Sequence, residues 1–295
     1  MSSPTPDRTD LVAAHFGPDG LRRFEPGHIL GSLLPVTART LLETTGVPRT
    51  VAPYFRSPGP DEPIALGVAA ARSSRPAPPA ALQSWPRIGS DGLADLCVRP
   101  DGAVQAVVLA DMVDDMFVST DVSTLNASLL ALDRAQPVIA ASSGLAEAAD
   151  AFRTLNTELR QIDPAAFEER EAWWPRVLDD MRHTLNFPFS AAFEYVDGIG
   201  TRQVVTEATG PGLGHPEEII WTRLSGAGVD PAQVRRVYSE LQPCLMPGHY
   251  CAVWMQKAFP QAEFTHSFDY GDTAASREEG LKQLIIHAAE QARNH

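Results

Sequence analysis

The chain has 295 residues, 44% of them hydrophobic, which is enough to bury a sizeable core and long enough for two domains. Its formal net charge of −13, spread over both halves, argues against a grip on duplex nucleic acid, which needs a basic face for the phosphates. Three cysteines are too few for a disulfide framework and fit a reducing, cytoplasmic setting, and no apolar run approaches the length of a membrane span.

Residues 1–11 are polar and are expected to be disordered, with a short helical stretch from about residue 10 to 24. A second helix is predicted to start over Leu33-Leu34-Pro35-Val36-Thr37, with Thr37 as its cap, and to stop at Gly46-Val47-Pro48. The polar stretch up to about Ala80 reads as loop with one strand over residues 64–68. Residues 93–98 and 103–109 then read as strands joined by Arg99-Pro100-Asp101-Gly102, a strong local hairpin signal. A third strand is expected over residues 117–120, and Ser123 is placed to cap a helix through Leu125, Leu129, Leu130 and Leu132.

That order, with its Ile88-Gly89-Ser90-Asp91-Gly92 approach, resembles the SUKH superfamily, and within it the immunity proteins paired with polymorphic toxins. Leu159-Arg160-Gln161-Ile162-Asp163-Pro164 and Trp173-Trp174-Pro175 resemble the end of the same branch. The resemblance covers about residues 12–186 and implies an α+β domain that binds a protein partner such as a toxin. Trp173 and Trp174 read as core or inter-domain packing, or else as a hot spot for that partner. His15 and His28 have no companion ligands in the sequence, and this half offers no catalytic constellation.

In the second half, residues 191–196 and 202–207 make a hairpin about Asp197-Gly198-Ile199-Gly200. Gly210-Pro211-Gly212-Leu213-Gly214 delivers His215 to a helix, its glycines serving either close approach to a ligand or a flexible connection. A strand over residues 234–241, a helix over 250–259, a strand through Phe264, His266, Phe268 and Tyr270, and a last helix over 276–293 follow. His266 reads as a sheet residue rather than a ligand, and Asp269 and Tyr270 as candidates for a pocket rim.

His215-Pro216-Glu217, Pro243-Cys244 and Cys251 carry the chemistry. One imidazole and two thiolates are the three ligands of an open zinc site, whose fourth position is left for water. Glu217, two residues beyond the histidine, is placed to move protons between the attacking water, a ring nitrogen and a departing amine. Read singly, the cysteines could equally be a buried thiol pair, since free cysteine is often a small core residue.

These residues resemble the nucleoside, nucleotide and nucleic-acid deaminase superfamily, with its H-x-E and P-C-x-x-C signature. Ser239-Glu240-Leu241-Gln242-Pro243-Cys244 and Phe268-Asp269-Tyr270-Gly271 look most like deaminase domains of bacterial polymorphic toxins. The resemblance implies a cytidine deaminase-like α/β/α three-layer sandwich over residues 187–295, Zn²⁺ on His215, Cys244 and Cys251, and catalysis by Glu217. It also implies contacts from Ser239, Glu240, Pro243 and Gly214 to a nucleoside, a nucleotide or a single-stranded nucleic acid. One departure is plain: six residues, not two, separate Cys244 from Cys251. Pro247-Gly248 suits a turn in that insertion, and His249 within it is open as a replacement ligand. The expected function is a zinc-dependent deaminase fused behind a SUKH-like binding domain, the alternative being a non-enzymatic immunity protein.

Overall fold

The computed structural model of the protein describes residues 8–29, 34–110, 113–186 and 188–294. The chain divides into two compact units, Met1–Gln136 with Phe152–Val177, and Pro137–Ala151 with Leu178–His295.

The first unit opens with α1 (Arg8–Gly20), bent at Gly17, then β1 (Leu21–Arg22), α2 (Pro26–Ile29) and α3 (Val36–Thr44). Four short elements follow: β2 (Val47–Pro48), β3 (Thr50–Val51), β4 (Phe55–Arg56) and α4 (Leu66–Arg72). The strands β5 (Arg87–Ser90), β6 (Asp95–Val98), β7 (Val104–Val107) and β8 (Met116–Ser119) complete an antiparallel sheet of order β3-β4-β5-β6-β7-β8. The helices α5 (Val122–Ala140), α6 (Leu145–Ile162) and α7 (Trp173–Asn186) follow in the chain. The predicted hairpin is present as β6 and β7, with Val98 opposite Val104 and Gly102 in the left-handed region at φ 95°. Trp173 and Trp174 are core residues, and the Trp173 indole donates to the buried Asp91 carboxylate at 2.8 Å.

Several local expectations change. Residues 8–11 are helical because α1 packs Val12 on Leu21 and Leu130, and the helix stops at Gly20, short of Phe24. Residues 64–68 are not a strand: α4 begins at Leu66, and its alanine run buries Leu66, Ala69 and Ala70 at helical spacing. Thr37 lies inside α3, which starts after Pro35, and Leu33 falls outside the described residues. α5 is capped not by Ser123 but by Asp121, whose Oδ1 accepts from the Thr124 N–H at 2.7 Å.

The second unit holds β9 (Ser190–Val196), β10 (Arg202–Ala208), α8 (Pro216–Gly226), β11 (Val234–Leu241), α9 (Cys251–Ala258), β12 (Glu263–Phe268) and α10 (Ala274–Asn294). Hairpin, helix, strand, helix, strand, helix is the predicted order. The sheet runs β10-β9-β11-β12, antiparallel except for β11 with β12, whose parallel pairing requires the crossover that α9 supplies. Phe193, Ile220, Val237, Met255, Phe259 and Leu284 pack one core across strands and helices. The chain as a whole is α+β. Inside this unit the end of β11 and the first residues of α8 and α9 bring the signature residues together.

Candidate metal centre

His215 ends the glycine loop and stands immediately before α8, where Pro216 fits the first helical position because its missing N–H needs no partner. Its backbone N–H is accepted by Glu218 Oε2 at 3.2 Å, which leaves the ring free to turn inward. Cys244 follows β11, and Cys251 opens α9 after Tyr250, which takes a left-handed conformation at φ 45°. The intervening residues fold back as a tight loop, with Tyr250 N–H donating to Met246 O at 3.0 Å and Gly248 at φ 83°. The longer spacing is therefore absorbed without separating the sulfurs.

His215 Nδ1 lies 3.4 Å from Cys244 Sγ and 3.4 Å from Cys251 Sγ, and the three donor atoms sit within 4.8 Å of one another. Zinc bonds of about 2.3 Å to sulfur and about 2.0 Å to nitrogen, at tetrahedral angles, separate such donors by roughly 3.5 Å. The residues thus fit the metal that the donor set calls for. Glu217, only 1% exposed, receives the Ser239 hydroxyl on Oε1 at 2.7 Å, and among the described residues its Oε2 is buried with no hydrogen-bond partner. A buried carboxylate oxygen of this kind is costly unless water, a metal ion or a reacting group meets it.

On the other side of the imidazole, His215 Nε2 meets Asp180 Oδ1 at 3.0 Å. Asp180 Oδ2 meets His249 Nε2 at 3.2 Å, and His249 Nδ1 meets Glu218 Oε2 at 2.8 Å. The two imidazoles stack at 4.0 Å with an interplanar angle of 5°. Asp180, His215 and His249 are a second group whose atoms lie close enough to hold a cation. Both ring nitrogens of His249 lie against carboxylates, and it faces Asp180 and not the sulfurs.

Opposite charges pair within the cluster. Burial works against charge on every group, yet Cys251 and the His215 cation draw the Cys244 thiol well down, while burial and the Cys244 thiolate push Cys251 well up. His215, despite its burial, is raised well above the ordinary imidazole range by Cys244 and Asp180. Burial would raise Asp180, but His249 and His215 hold it well below the usual carboxylate range. Against the cost of burial, Asp180 pushes His249 up to about 9. Burial lifts the Glu217 carboxyl above its ordinary range, opposed by His215 and the Ser239 hydroxyl.

Of the residues read from the sequence, His215, Cys244, Cys251 and Glu217 converge. Ser239 reaches the site as the partner of Glu217. Glu240 turns to the Ser190 backbone N–H at 2.6 Å and its hydroxyl at 2.8 Å. Pro243 and Gly214 are half-buried beside Cys244 and His215, and a Cβ at Gly214 would stand 3.2 Å from Glu218 Oε2, a tight contact. Tyr270 is buried with its hydroxyl against the His183 ring, whereas Asp269 is exposed and engages His266 at 3.0 Å. Asp180 and the bracing carboxylate Glu218 had no sequence signal that marked them, since neither lies at a motif position.

A family model for the SUKH-4 immunity protein matches residues 8–180, and one described as Xanthomonas-like deaminase matches residues 188–287. No curated protein and no solved structure matches the chain. Among the described residues no helix is long and apolar enough to cross a membrane.

Proposed function

Because the chain belongs to the SUKH-4 immunity protein family and continues into a deaminase segment, we propose that it is a zinc-dependent hydrolytic deaminase of a toxin and immunity system. Its substrate is an amino-bearing cytosine or adenine in a nucleotide or a single-stranded nucleic acid. The observation that carries this reading is one imidazole nitrogen 3.4 Å from each of two buried sulfurs, with the buried Glu217 beside them and its Oε2 without a hydrogen-bond partner among the described residues.

His215, Cys244 and Cys251 would hold the zinc, which when bound supplies Lewis acidity that makes water nucleophilic near neutral pH. Glu217 does the proton work. Its carboxylate, with a raised proton affinity, takes the first proton of the attacking water and gives it to the ring nitrogen, then takes the hydroxyl proton of the resulting adduct and gives it to the departing amino group, which leaves as ammonia. Water and amino base are consumed, oxo base and ammonia formed. Ser239 fixes one oxygen of Glu217, leaving the other for the reacting groups. Gly214 and Pro243 stand as base-contacting positions, while the side chains of Ser239 and Glu240 are committed to Glu217 and Ser190.

A protein-binding role for residues 12–186 is favoured by a family match over more than half the chain, and it is compatible with catalysis. Zinc content and ammonia release, measured for the wild type and Glu217→Gln on cytosine and adenine nucleosides, nucleotides and single-stranded oligonucleotides, test the reading. The expected outcome is zinc in both proteins and turnover lower by about 10²–10⁴ in the variant. Zinc without ammonia from any substrate would leave the binding role alone.

A further inference from the structure

We propose that Asp180 is a positioning residue for the metal ligand His215, and that α7 supplies it from outside the matched deaminase segment. The inference rests on the metal reading above but not on deamination.

The argument begins with the two faces of one ring. A metal-binding imidazole must present a lone pair at one nitrogen and carry its proton on the other, and whatever accepts that proton's hydrogen bond fixes both tautomer and ring orientation. Here Nδ1 faces the two sulfurs and Nε2 faces Asp180 Oδ1 at 3.0 Å. Turning the ring over would take Nε2 out of its 3.0 Å charge contact with a carboxylate that is 2% exposed, leaving a buried charge without that partner. Asp180 therefore holds Nδ1 toward the thiolates before any metal arrives.

Asp180 is itself held. Its second oxygen meets His249, which stacks on His215, and His249 is tied by its other nitrogen to Glu218, which accepts the backbone N–H of His215. The ring of contacts joins α7, the start of α8 and the loop before α9. This gives the long Cys244 to Cys251 spacing a purpose: the added residues bring His249 to brace the carboxylate. Asp180 is the final residue of the immunity-type match and precedes residue 188, where the deaminase match begins.

The test uses the full chain and zinc affinity measured by chelator competition, with cobalt(II) spectra as a report on ligand geometry. Asp180→Asn is expected to bind zinc about 10–100-fold more weakly and to shift the cobalt d–d bands while keeping thiolate charge-transfer bands. Asp179→Asn, which loses contacts to Arg182 and Arg277, is the control for general loosening of α7 and is expected to bind zinc as the wild type does. Unchanged affinity in Asp180→Asn, or an equal loss in Asp179→Asn, overturns the proposal. So does a second zinc ion in the wild type that disappears in Asp180→Asn, because Asp180 would then be a ligand. If Asp180→Asn does not fold, ¹⁵N spectra of the zinc-loaded wild type decide: metal on Nδ1 of His215 with a proton on Nε2 is expected, and metal on Nε2 overturns it. Zinc binding without ammonia sinks only the deaminase reading, and a wild type that binds no zinc sinks both.

Discussion

Ser239 is fully buried and donates its hydroxyl proton to Glu217, so its value lies in what that carboxylate does. A hydrogen bond to a charged group is worth about 1.5–3 kcal/mol, so Ser239→Ala should lower turnover by roughly ten-fold or more, with zinc content unchanged. Steady-state kinetics beside metal analysis would show it, and zinc loss in the variant would place Ser239 in the fold of the metal site instead. The cluster of His215, Cys244 and Cys251, with Glu217, was legible in the sequence because the proposed zinc chemistry restricts residue types and loops restrict spacing. Asp180 was not, because Asp179-Asp180 inside a helix has the pattern of any solvated acidic turn, and only the folded chain shows that one of the pair points inward.

At the scale of elements, the loop before α8 depends on Gly212 more than on the glycines around it. Gly212 has φ 70°, and a Cβ there would lie 2.5 Å from Ala140 Cα, so its close approach is to the end of α5 and not to a ligand. Gly212→Ala is expected to cost about 1–3 kcal/mol in backbone strain alone, more with the clash, and to weaken zinc binding by displacing His215. Denaturation with and without a chelator would check it: equal losses in both would separate the loop from the metal. The hairpins and the long helices α5 and α10 could be read from the sequence because turn chemistry and periodicity are local, whereas α6 and α7 were not read as helices. Residues 64–68 could not, since a short apolar run fits a strand or a helix alike, and burial of Leu66, Ala69 and Ala70 decided it. The cap of α5 turned on whether Asp121 or Ser123 met the first free N–H, a difference of one helical half-turn that sequence preference does not resolve.

The molecule as a whole carries a net charge of −13, and that sets how it meets partners. Association of its immunity-type half with a basic protein should be steered by charge, with a rate constant that falls as ionic strength rises. Stopped-flow association at graded salt would measure this, and a salt-independent rate would assign the encounter to shape alone. A crossover placed between residues 180 and 188, where the two family matches part, would leave Asp180 with one parent and His215 and His249 with the other. Exchange of the segment that follows would then part this carboxylate from the two imidazoles it contacts, unless the inherited segment begins upstream of α7's last turns.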